Sequence, residues 1–282
     1  MDNEAQERWN HIVDPADSSL RVLMAVVRLL LDKKILSEEE LCSLADASCQ
    51  ELVTEVEART AWHTPWLTTE ALAAKVRIAP DSVVLDAGCG FGGPARELAE
   101  KFGCRVIGVD RDPLRILHAI RQTEKLGLSD RVSFCWGVFG KLPFPDTTFD
   151  IVWAQGSLTR YDTEWLKGVP TGMDPSTFQE FHRVLKAAAQ LVCDVWLKGP
   201  VSDADVEAFL RLTGFGLEHL EDCTETWLKC CQWSIRELNP DDVERRTYEE
   251  QAYEEFLQRG DRAYQFIAAK RDKPESRQPD DT

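Results

Sequence analysis

Positive charge is scarce in this chain: 33 lysines and arginines stand against 49 aspartates and glutamates, a formal net charge of −16 over 282 residues. Such a surface repels phosphate backbones and anionic headgroups, which argues against nucleic acid and acidic membranes as partners. The excess either keeps the protein soluble or steers a cationic or zwitterionic small molecule toward it. Metal-ligand spacing is missing as well. The nine cysteines include no CxxC pair, and the adjacent Cys230 and Cys231 lack His or Cys partners at ligand spacing, so no metal is expected. Cys104, Cys135 and Cys193 lie in apolar runs and read as small core residues of a reducing compartment, which makes the cytoplasm the expected location. No long apolar run is present. Leu20 to Leu31 is too short to span a bilayer, is broken by Arg21 and Arg28, and follows an acidic start, so it reads as neither a transmembrane helix nor a signal peptide. There is no internal repeat, and only the polar tail 273–282 has the composition of a disordered segment.

What is there falls into three parts. Residues 1–65 read as a helical extension. Leu20, Leu23, Val27 and Leu30 share one helical face, and Ser37-Glu-Glu-Glu40 has the form of a capping box. Their apolar stripes must pack on the main domain, cover an active site, or pair with a second subunit as a homodimer. Residues 66–272 alternate short apolar strands with helices. Strands are expected at 82–86, 105–110, 132–136, 149–154 and 190–197, with helices at 93–102, 113–126 and 176–185 between them. That alternation means an α/β fold, a mostly parallel sheet with helices on both faces. A helix at 203–213 and a strand at 216–220 follow, and a charged helical insertion at about 224–260 precedes a last strand at 262–269. An insertion there would sit over the carboxyl edge of the sheet, where ligands bind.

One segment carries the chemistry: Val83-Val-Leu-Asp86-Ala-Gly88-Cys89-Gly90-Phe-Gly92-Gly93. A buried strand ends in an acid, enters a glycine-rich turn, and continues into a helix whose first N–H groups are unpaired. Gly88, Gly90 and Gly93 also satisfy GxGxxG, a weak signal shared with nicotinamide-dependent enzymes. The acid before the turn separates the two readings, because a carboxylate suits a ligand with a cationic end better than a pyrophosphate. A second acid, Asp110, ends the next strand, where it can accept from ribose hydroxyls.

With Lys141-Leu-Pro-Phe-Pro-Asp146-Thr-Thr-Phe-Asp150-Ile-Val-Trp and Phe181-His-Arg-Val-Leu-Lys186, these motifs resemble the class I S-adenosylmethionine (SAM)-dependent methyltransferases. The resemblance covers 82–192 and leans to the small-molecule branch, with its glycine, sarcosine and dimethylglycine N-methyltransferases and ubiquinone-type C-methyltransferases. It implies a Rossmann-like, seven-stranded sheet and SAM as cofactor, with S-adenosyl-L-homocysteine (SAH) as product. It also implies roles residue by residue. Gly88, Cys89, Gly90 and Gly92 shape the turn against the cofactor, Asp86 acts on its amino group, Asp110 holds the ribose and Arg111 flanks the adenine. Gln155 stands beside the transferable methyl and the acceptor.

The pattern departs from the family in three places. The acid that accepts from the adenine amino group is replaced by Val138, which leaves backbone groups and stacking by Trp136 or Phe139. After Gln155 the chain reads Gly-Ser-Leu-Thr-Arg160-Tyr161, without the usual acid and with Arg160 near the usual His, where an arginine could hold a substrate carboxylate or stand exposed in a loop. The usual glycine turn before the fifth strand is Lys186-Ala-Ala-Ala-Gln190.

Nine tryptophans offer aromatic walls for a cationic group, Trp66, Trp227 and Trp233 among them, although each could equally be core. His63 and Tyr161 are candidate bases. The acceptor expected from this reading is an amine or amino-acid-like nitrogen. An oxygen, sulfur or carbon centre of a natural product or quinone-like compound is the alternative, and a catalytically silent SAM-binding scaffold a third.

Overall fold

The computed structural model describes residues 68–158, 174–237 and 243–271. The extension 1–65, His63, Trp66, Arg160, Tyr161 and the tail lie outside them. In chain order the described elements are α1 (Thr69–Ala73), β1 (Val83–Ala87), α2 (Gly93–Phe102), β2 (Arg105–Asp110), α3 (Pro113–Lys125) and β3 (Val132–Trp136). Then come β4 (Phe149–Ala154), α4 (Pro175–Val184), β5 (Leu185–Leu197) and α5 (Asp203–Leu212). Last are β6 (Phe215–Asp222), α6 (Thr224–Glu237), α7 (Val243–Arg259) and β7 (Arg262–Lys270).

The strands form one seven-stranded sheet in the order β3-β2-β1-β4-β5-β7-β6. Strands β1 to β5 pair in parallel, and β7 runs antiparallel to both β5 and β6. The chain builds outward from β1 to β3, then crosses back to β4 on the other side of β1. That reversal opens a crevice at the carboxyl ends of the strands, between β1 and β4, and so decides where a ligand binds.

Alternation along the strands fills two cores. Leu85, Val152, Leu191 and Phe266 meet α4 and α5 through Phe178, Phe181, Phe209 and Leu210 on one face. Val84, Val106, Trp153, Val192 and Ile267 meet α1 and α2 through Leu72, Leu98 and Ala99 on the other. Phe178 anchors the first core, edge-on to Phe209 at 4.8 Å and packed against Phe266. Such aromatic pairs add directional attraction to the area they bury.

Within the charged insertion the structure describes two helices, α6 and α7. One expectation needs correction. The stretch 186–190 is no separate turn, because β5 already begins at Leu185. Phe149 pairs Leu185 but Ile151 pairs Gln190, so the strand bulges, with Ala188 at φ 56°. Among the described residues no helix is long and apolar enough to cross a membrane.

Candidate functional site

Strand β1 stops where the backbone turns left-handed at Gly88, φ 78°. The N–H groups of Gly88 and Cys89 both donate to the Val109 carbonyl, at 2.7 and 3.0 Å, which folds the turn across the end of β2. Only glycine fits at Gly88: a Cβ there would stand 2.3 Å from Ser157 Cβ and 3.1 Å from the Phe139 ring. Gly92, at φ 77°, precedes α2, and a Cβ on it would strike Phe134 at 2.5 Å. Backbone is thereby left open to a ligand at close range.

Asp110 closes the other side. Its Oδ2 accepts from the Gly90 N–H and its Oδ1 from the Asp112 N–H, both at 2.9 Å, so one carboxylate ties the two turns together. Asp86 lies beneath, 2% exposed, and its Oδ2 has no hydrogen-bond partner. Burial first, and the neighbouring Asp110 charge second, push its carboxyl up to about 7, while the Ala95 N–H and Arg96 pull the other way. A buried carboxylate oxygen without a partner is costly, and a cationic ligand end at this turn would relieve the cost. Cys89 is no nucleophile, since burial and the two acids drive its thiol far up.

Above these residues opens a cavity of about 340 Å³. Gly88, Asp110, Arg111, Val138 and Phe139 line it, as do Gly156, Ser157 and Leu158 just after β4. Its far wall is the start of α4, where Asp174 caps the helix by accepting from the Ser176 and Thr177 N–H groups. Glycines for close approach, one carboxylate (Asp110) tying the two turns together and an unsatisfied buried acid (Asp86) fit a nucleoside with a cationic amino-acid arm, and SAM is such a molecule. Among the described residues no group of three or more His, Cys, Asp or Glu side chains is placed to hold a metal ion.

The structure brings five of the expected residues onto the cavity: Gly88, Asp110, Arg111, Val138 and Phe139. Asp86 and Cys89 lie behind the turn that Gly90 and Gly92 shape. Gln155 is not on the cavity wall; its Oε1 accepts from Thr69 Oγ1 and Trp153 Nε1, both at 3.1 Å. Trp136 also stays off the wall and donates its indole N–H to the Arg111 carbonyl at 2.9 Å. Trp227 packs in an aromatic cluster with Trp196 and Phe256, and Trp233 is 43% exposed. Sequence reasoning missed Arg115, Ser157 and the α4 start. Arg115 had a signal, one helical turn beyond Arg111, and so did Asp174-Pro175, a cap followed by proline at the first helical position.

Residues 84–188 match the family model described as a methyltransferase domain. A sterol 24-C-methyltransferase of Eremothecium gossypii is 47% identical over 126 residues, which is 45% of this chain and 31% of that protein. The chain thus matches only about a third of the length of such relatives. Among solved structures, a proposed sarcosine dimethylglycine methyltransferase from Galdieria sulphuraria superposes with TM-score 0.63 at 18% identity, over 75% of this chain and 87% of that one. A geranyl diphosphate C-methyltransferase from Streptomyces coelicolor gives 0.59 at 18% identity, over 72% and 78%. Motif, fold and relatives agree on this stretch: residues 84–188 match a methyltransferase domain, set in a fold shared with methyltransferases of known structure.

Proposed function

We propose that the protein transfers a methyl group from SAM to a carbon atom of a small apolar acceptor. The transfer itself is supported by one constellation, Gly88 and Asp110 on the cavity with the buried Asp86 behind them, within the stretch that matches the methyltransferase domain. Carbon is favoured over nitrogen because the relative at 47% identity is named for C-methylation. The nitrogen acceptor expected from the sequence has its counterpart in a neighbour at 18% identity, a level that speaks for the fold alone.

SAM supplies a methyl group already activated on a sulfonium. What remains for the protein is to orient the reactants, exclude water and accommodate charge. Asp110 holds the turn and is placed to accept from ribose hydroxyls, while Arg111, Val138 and Phe139 form the wall offered to the base. Asp86 answers the ammonium of the amino-acid arm. Ser157 and Leu158 close over Gly88 and narrow the cavity toward the start of α4.

The test is transfer of labelled methyl from SAM to three acceptors offered separately: a sterol with an unsaturated side chain, geranyl diphosphate and sarcosine. Label in the sterol or the geranyl compound supports the reading. Label in sarcosine alone restores the nitrogen acceptor, and label in none, with SAH binding intact, rejects all three.

A further inference from the structure

The first turn of α3 brings a guanidinium to the cofactor cavity that the proposed transfer does not use. Arg115 lines that cavity one helical turn beyond Arg111. Its Nε is buried and makes no hydrogen bond, and among the described residues its one ion pair is with Asp112, at 3.5 Å. From α3 the side chain reaches back to the glycine turn, where the guanidinium lies over the Phe91 ring, 5.8 Å from its centroid. His118 braces that ring edge-on at 5.1 Å. Asp112 and Phe91 thus hold the group in place, and its N–H donors are left for a ligand.

The acceptors on the same side of the cavity are already engaged. The Asp110 carbonyl accepts from the Gly137 N–H at 3.1 Å, and the Val138 carbonyl from the Lys141 N–H at 3.2 Å. The Arg111 carbonyl takes the Trp136 indole N–H. The Asp112 carboxylate is paired with Arg115 itself, and the side chains of Val138 and Phe139 accept nothing. The wall offered to the base therefore presents donors and apolar surface, and its one carboxylate beyond Asp110 is held by a cation.

We propose that Arg115 reads the base of the cofactor through the base's ring acceptors, so that the amino group of adenine is not what the site selects. The proposal rests on the methyltransferase reading and adds the rule by which that site chooses its nucleoside. A charged donor binds an acceptor more strongly than a neutral one does. A 6-oxopurine keeps the N3 and N7 acceptors and carries a carbonyl oxygen where adenine has its amino group. A guanidinium pairs well with such an edge. A wall built around a free carboxylate would reject that oxygen, because two acceptors would then face each other without a proton. This wall takes both bases.

The test is calorimetric titration of SAH and of S-inosyl-L-homocysteine, its 6-oxo counterpart, into the wild type, Arg115→Met and Arg115→Lys. The wild type should bind the two compounds within about fivefold of each other. Arg115→Met keeps an apolar stem and removes the donors, and should lose at least about fivefold against both. Arg115→Lys retains a charged donor and should bind both more tightly than Arg115→Met does. A larger wild-type preference for SAH would show that the amino group is read, and would overturn the proposal. That comparison needs no variant, so it stands even where a substitution unsettles the fold. A smaller loss in a folded Arg115→Met, or an Arg115→Lys no better than Arg115→Met, would reduce Arg115 to a packing residue and overturn the proposal as well. If the wild type does not bind SAH, the methyltransferase reading falls first and the proposal with it.

Discussion

A single methyl group added at Gly88 would collide with Ser157 and force an L-residue into φ 78°. Gly88→Ala should therefore weaken SAH binding by at least about tenfold by calorimetry, since the turn and the loop above it must both shift. Affinity equal to wild type would mean that the turn is not the ligand cradle. Asp86 makes a pH prediction. Its folded-state pKa, about 7, lies above the ordinary 3.8, so the native protein holds an extra proton between those values. Stability should fall as pH rises from 3.8 to about 7 and flatten above it. Asp86→Asn should remove that slope in melting experiments. A bound ammonium favours the ionised carboxylate, so SAH affinity should climb through the same window in the wild type and stay level in Asp86→Asn. A level wild-type profile would sever Asp86 from the ligand. Asp86, Gly88 and Asp110 were legible in the sequence because each stands at a strand end marked by its own neighbours.

Elements that local pattern alone specifies came out as read. The span of β2, β3, β4 and α2 in the structure matches the expected boundaries residue for residue. The misreading was of a strand bulge taken for a turn. At the entry to β5, Ala188 occupies a left-handed conformation that costs an L-residue about 1–2 kcal/mol. Ala188→Gly should therefore stabilise the protein by about 1 kcal/mol, less the entropy glycine loses on folding, and raise Tm by about 2–4 °C. The site lies at the end of β5 away from the cavity, so SAH affinity should not move. A lower Tm would show that the bulge is held by contacts to the Ala188 methyl group rather than strained by it.

Across the whole molecule, function follows from strand order. The chain reverses at β1, and the crevice that opens there is lined by Gly88 and Asp110, with the buried Asp86 behind them. The alternation of apolar strands and helices made the parallel sheet legible, and the acid before the glycine turn separated this fold from nucleotide-binding sheets built for a pyrophosphate. The central claim, a SAM site in the cavity at the carboxyl ends of β1, β2 and β4, is tested most directly by calorimetric titration of the purified protein and of Asp110→Ala with SAH. The account predicts micromolar binding by the wild type and a loss of at least about thirtyfold in the variant, because one carboxylate both orders the two turns and meets the ligand. A folded wild type that does not bind SAH, or an Asp110→Ala variant that binds it as tightly, would contradict the account.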